Sequence, residues 1–279
     1  MRKANIYRVG ALLIVGILAS SFVIAIGDPP QANPQTRLAP FTETLPNSVV
    51  KIAMMPVPGG TIKIKGKEIP VKPFWIASTE TPWEAFDAFL QSGPPSKPYD
   101  QTPFAPDAIA RPSKSYILPD LGWGHHGYPA INLSFTSVDM FCRWLSSVTK
   151  KKYRVPTEAE WELACRDGLN GPWKVDKSTL DKTTWYAANS GDVTHPVGKK
   201  QPNKLGLYDM LGNTGEWARD LDGKPVVCGG SFQDAAAAIK PEARRYWQPS
   251  WQETDPQIPK SRWWLADAPF AGFRIVCEP

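Results

Sequence analysis

"YPAINLSFTSVDMFCRWLSSVTKKKYRVPTEAEWELACRDG", residues 128–168, decides the fold, because two helix starts can be read in it. Thr136 to Asp139 opens one, and Val138, Phe141, Cys142 and Leu145 then recur at the spacing of a single helix face. Thr157 to Glu160 opens the other. A threonine hydroxyl there can accept from the amide three residues on while the glutamate reaches back, the pattern of a capping box. Trp161, Ala164 and Cys165 follow on its inner side. Cys142 and Cys165 therefore sit on apolar faces, which suits core thiols or disulfide halves and does not suit exposed nucleophiles.

Outward from this stretch the pattern changes. Thr81-Pro82-Trp83-Glu84 predicts an earlier helix with a hydroxyl cap and a proline at its first position, its inner face formed by Trp83, Phe86, Phe89 and Leu90. Before it, "VVKIAMMPVPGG" and "TIKIKGKEIPVKPFWIAS" alternate as strands do, with turns at Gly59-Gly60 and Lys65-Gly66-Lys67. After Gly168 the helical period fades, Gly, Pro, Asn and Asp recur, and the chain closes on the strand-like "AGFRIVCE". Early helices, long loops and a terminal strand predict one α+β domain over residues 49–279. Residues 28–48 are Pro-rich and polar and read as an extended tether. No internal repeat is present.

The first 27 residues read as a targeting element. Arg2, Lys3 and Arg8 flank an uncharged run, Val9 to Gly27, that ends in the small-x-small sequence Ala25-Ile26-Gly27. This fits either a cleaved secretory signal or a retained N-terminal anchor. Both place the remainder outside the cytoplasm, in the periplasm, at the cell surface or beyond, with membrane contact only through residues 9–27. Without those three basic residues the formal charge falls from +5 to about +2, and no basic stripe of the kind phosphate backbones require remains. Nucleic acid is thus excluded as an expected partner. The remaining roughly 230 residues suffice for one sizeable core, and 12 tryptophans with 29 prolines point to a loop-rich interior filled by rings. Four cysteines in an exported chain allow two disulfides in three pairings, or buried free thiols.

The opening stretch, "PNKLGLYDMLGNTGEW" (residues 202–217), "GGSF" (229–232) and "GFRIV" (272–276) together resemble the formylglycine-generating enzymes, or sulfatase-modifying factors, in order and separation. The resemblance covers residues 50 to 277. It implies a loop-rich variant of the C-type-lectin fold and, in catalytic members, copper-dependent oxidation of a sulfatase cysteine to formylglycine. Those members hold copper(I) on two cysteines shortly after Gly-Gly-Ser. The matching positions here are Asp234 and Ile239, which offer no soft sulfur ligand. Gly215 stands where a tryptophan walls their oxygen pocket, and Ser231 is retained.

The resemblance also implies calcium, through the side chains of Asp209 and Glu216 and the carbonyls of Gly212 and Thr214, with a second site beginning at Asn189-Ser190 and Asp192 a further candidate. It implies a Cys142–Cys277 disulfide, which leaves Cys165 with Cys228 as the second pair. His125, His126 and His195 fit surface loops, since adjacent histidines diverge and no Ser-His-Asp order or paired-histidine helix motif is present. Asn132-Leu133-Ser134 is a glycosylation sequon or a strand-to-loop transition. Trp247, Trp251, Trp263 and Trp264, with Arg244, Arg245 and Arg262, form either an aromatic binding floor or core.

The expectation is an exported, calcium-stabilised and non-oxidising binding module for a protein, peptide or glycan, with a sulfatase among the partners the resemblance implies. The alternative is an oxidoreductase of the formylglycine-generating type, or a related oxidation in the same cleft.

Overall fold

The computed structural model describes residues 38–46, 48–92, 118–168 and 176–279. The candidate signal or anchor and the first part of the tether lie outside them. Among the described residues no helix is long and apolar enough to cross a membrane.

The N-terminal strands follow the predicted alternation. In β2 (Lys51–Val57) Ile52 and Met54 turn inward while Lys51 and Ala53 face out. β3 (Gly60–Ile64) and β4 (Lys67–Val71) form a hairpin closed by Lys65-Gly66, both at positive φ as a tight two-residue turn requires. β5 (Phe74–Ala77) returns against β2. The tether ends earlier than its composition suggests: β1 (Phe41–Thr44) pairs antiparallel with β2 and belongs to the domain. Glu43 of this strand is buried and accepts from Lys151 Nζ and Tyr153 Oη, both at 2.5 Å.

The helices lie where the apolar periods place them, but only one is capped as expected. α3 (Glu158–Cys165) has the full capping box of Thr157 and Glu160. α2 (Phe135–Thr149) is capped by Ser134, two residues before Thr136, and stops at Lys150 in the left-handed region. α1 (Trp83–Leu90) has no side-chain cap. Its first amide donates to the Tyr128 carbonyl because Pro82 pairs with Pro129, and Glu84 accepts from Gly127 N–H instead of reaching back. A fourth helix, α4 (Lys177–Thr183), was not legible from its period; Asp176 caps it through Thr179 N–H at 2.8 Å.

The 271–278 stretch divides. β10 (Ala271–Gly272) runs parallel to β7 (Gly215–Arg219), whereas β11 (Val276–Cys277) lies between β5 and β6 (Tyr153–Arg154). The result is a five-stranded sheet, β1-β2-β5-β11-β6, and a four-stranded one, β10-β7-β8-β9, with β8 at Pro225–Cys228 and β9 at Arg244–Arg245. One core gathers α1 and α2, where Phe86, Phe141 and Phe273 meet edge and face. A second gathers α3, β8 and the β3–β4 hairpin around Trp161. These two cores hold the β7–β8–β9 hairpins and the 229–243 loop, which carries the site.

Candidate functional site

Residues 229–245 fold over β7 and, with Gly215, Val227 and Phe270, line a partly open cavity of about 500 Å³. Gly215, Ser231 and Asp234 line it together, although the first lies on β7 and the others on the loop. Gly230, at φ +75°, makes the turn; a Cβ there would meet Ile239 Cδ1 at 2.8 Å. Ile239 does not line the cavity: it is 3% exposed and packs behind the loop in the second core.

Asp234 is fully committed. Its Oδ2 accepts from Ser231 N–H at 2.7 Å and Ser231 Oγ at 3.0 Å, and its Oδ1 pairs with Arg245. Arg245 in turn lies 4.7 Å above the Phe270 ring. Ser231 thus donates to a carboxylate already neutralised by a guanidinium, and no histidine lines the cavity to make its hydroxyl a nucleophile. Gly215 is more than an omitted tryptophan, because a Cβ there would come within 2.6 Å of Val227 Cγ1. The position has closed against β8.

A charged layer backs the loop. Arg244 donates to Glu158 at 2.7 Å and to Glu162 at 2.5 Å, with α3 burying both carboxylates. Arg166 pairs with Glu162 and Glu242. Sequence reading placed Arg244 and Arg245 in a possible binding floor but missed Lys240, Glu242 and Phe270, whose approach depends on how the loop folds back on β9 and β10.

The implied calcium ligands converge, yet the two carboxylates differ. Asp209 Oδ2 accepts from Gly198 N–H at 2.7 Å, while its buried Oδ1 has no partner. Burial pushes the Asp209 carboxyl up to about 6. Glu216 is occupied: Oε1 accepts from Arg274 Nε and Nη2 at 2.8 and 2.6 Å, and Oε2 from Trp161 Nε1 and Arg274 Nε, both at 2.7 Å. Glu80, which burial raises well above the usual carboxylate range, accepts from the Thr214 amide and hydroxyl and from Asn213. Calcium asks for six to eight oxygens. A set in which one carboxylate oxygen stands free beside a fully buried guanidinium does not fit it. Arg274 supplies the positive charge in this cluster.

Asn189 and Ser190 are also spent. Asn189 bridges Tyr186 N–H and the Thr184 carbonyl, Ser190 Oγ donates to the Phe232 carbonyl and accepts from Asp192 N–H, and His195 Nε2 takes the Ser190 carbonyl. Among the described residues no group of three or more His, Cys, Asp or Glu is placed to hold a metal ion.

All four cysteines are buried free thiols, so neither implied disulfide is present. The expected partners share a core, Cys142 with Cys277 and Cys165 with Cys228, without being bonded. Burial raises every thiol, Cys228 to about 12, which keeps them protonated and unreactive. His125 is clamped between Asp87 Oδ2 at 2.7 Å and Asp120 Oδ2 at 2.9 Å and stacks on Trp83, while the side chain of His126 is 93% exposed. Asn132 is buried, at positive φ, and donates to the Pro119 carbonyl, so the sequon is a turn here. Trp251 and Trp263 are core and Trp264 packs against it, leaving only Trp247 of the four exposed; Arg262 is exposed and apart from the cavity lining.

Two solved structures share the fold at 21% identity, each covering 87% of this chain and all of its own: Treponema denticola variable protein 1 (TM-score 0.62) and PvdO from Pseudomonas aeruginosa (TM-score 0.59). The protein is thus a loop-rich, formylglycine-generating-enzyme-like α+β domain. The sulfatase-modifying factor enzyme 1-like domain matches residues 41–258, and the chain belongs to that family. It is 34% identical over 107 residues to the formylglycine-generating enzyme of Mus musculus, covering 33% of this chain and 27% of that protein. It is 33% identical over 128 residues to the inactive C-alpha-formylglycine-generating enzyme 2 of Bos taurus, covering 39% and 40%. The chain therefore spans well under half the length of these relatives.

Proposed function

We propose that the protein is an exported, non-oxidising member of its family whose cleft binds a protein, peptide or glycan ligand. The observation that carries this reading is the Asp234–Arg245 pair, sealed by Ser231, at the position where the resemblance puts a copper thiolate. A hard carboxylate already bound to a guanidinium is a poor ligand for a soft univalent metal. The second thiolate position, Ile239, faces the core. A catalytic copper site would need two sulfurs converging on the cavity, and none of the four thiols lines it. That a related protein bears the name "inactive" supports the same reading.

Calcium drops out of this reading, because Glu216 is committed to Arg274 and one free oxygen on Asp209 cannot replace it. The function is tested by loading the full chain with copper(I) and offering a cysteine-containing sulfatase-motif peptide in air. Unchanged peptide mass is expected; conversion of the cysteine to an aldehyde would restore the oxidoreductase alternative.

A further inference from the structure

Resting on the reading of the cavity as a binding cleft, the geometry points to a ligand class: we propose that it takes a monoanionic carboxylate carried on a short apolar body. The argument begins with which charges are already spent. Asp234 gives one oxygen to Arg245 and the other to Ser231. Glu242 pairs with Arg166. Arg244 is used by Glu158, Glu162 and the carbonyls of Pro241 and Ala243.

Two donors remain. Lys240 lines the cavity, is exposed, and its ammonium has no partner among the described residues. Arg245 uses one nitrogen on Asp234 and its guanidinium carbon lies 4.7 Å from the centre of the Phe270 ring; its remaining N–H groups have no hydrogen-bond partner among the described residues. Every carboxylate that lines the cavity has a cation; both uncommitted donors are cationic. This asymmetry favours an anion.

Its charge is limited. Behind the loop, Glu158, Glu162 and Glu242 share the guanidiniums of Arg244 and Arg166, with Lys65 acting on Glu158 only from farther off, so within ion-pair distance the layer carries one negative charge in excess. A dianionic phosphate would meet that excess, whereas a single carboxylate is matched by Lys240 and the edge of Arg245. The other walls are largely apolar, with Phe270 and Val227 beside the small side chains of Ala237 and Ala238. A volume of about 500 Å³ is in the range of small-ligand pockets.

The test compares N-acetyl-leucine with N-acetyl-leucinamide on the full chain, by calorimetry and ligand-observed NMR. The acid should bind about tenfold more tightly, since a hydrogen bond to a charged group contributes at least that factor. The difference should shrink as salt is raised. Lys240→Met keeps the stem of an exposed side chain that makes no hydrogen bond or ion pair among the described residues, so it should melt as the parent does and lose most of the preference. Equal binding of acid and amide, or binding of neither at millimolar concentration, overturns the proposal. So does inorganic phosphate competing at lower concentration than acetate. Each of these leaves the non-oxidising reading standing, because that reading is tested separately by aldehyde formation and copper retention.

Discussion

Asp234 accepts from the Ser231 amide and hydroxyl and pairs with Arg245, so one carboxylate fixes the loop turn and the cavity's guanidinium together. Its role is structural as much as it is a barrier to copper. Asp234→Ala would leave a buried amide and hydroxyl without an acceptor, at a cost of about 1–3 kcal/mol. At about 2–4 °C per kcal/mol for a domain of this size, a fall of several degrees in Tm should appear in a thermal melt. A variant that melts with the parent would mean the pair contributes nothing. The family resemblance implied one cleft for Gly215, Ser231 and Asp234, through the register of the Gly-Gly-Ser frame and the Glu-Trp motif, and the three line one cavity. Arg245 stayed hidden as the partner of Asp234, since the pair closes across a loop whose path no local pattern specifies. The register implied by the resemblance puts Ile239 at the cleft, but its branched hydrocarbon is buried in the second core behind the loop.

At the scale of elements, local signals were readable and competing ones were not. The capping box at Thr157–Glu160 needs only residues within one turn, and it forms. Ser134 displaced Thr136 as a cap because its hydroxyl also reaches the Arg262 carbonyl at 2.6 Å, a contact 128 residues distant in sequence. β1 was concealed by flanking prolines, and its strand pairing comes from β2. The 118–128 loop is tied to α1 by His125 between Asp87 and Asp120. Burial alone would lower the imidazole, but the two carboxylates outweigh it and hold His125 above its usual 6.5. A raised folded value means the clamp's contribution is fully present below about 6.5 and is lost as pH rises through the folded value. The Tm difference between the parent and His125→Gln should therefore be larger at acid pH than at mildly alkaline pH. A gap that is flat, or that widens with pH, would contradict the clamp.

Across the whole molecule, the same Arg274 joins strand ends that are far apart in sequence. It binds Glu216 of β7, the Ala77 carbonyl of β5 and the Tyr208 carbonyl, at the seam of the two sheets. Removing one member of a buried pair leaves the other charge uncompensated, which costs about 3–5 kcal/mol. Arg274→Met should therefore unfold far more readily in denaturant than the parent, whereas a chelator such as EGTA should leave the parent's Tm unchanged. A clear drop with EGTA would return calcium to Asp209 and Glu216. Reduction should likewise not move the melt, since the cysteines are already thiols. Family motifs made the α+β architecture legible. They could not reveal that Arg274 would occupy Glu216, because guanidinium and divalent cation satisfy the same carboxylate and only the folded geometry distinguishes them.

The central claim is that no pair of sulfurs meets at the cleft. The most direct measurement is a competition titration of cuprous ion between the folded full chain and a chromogenic copper(I) chelator. The account predicts that the chelator keeps all of the metal at equimolar protein. Retention of one equivalent by the folded chain, at an affinity that survives the competitor, would contradict it.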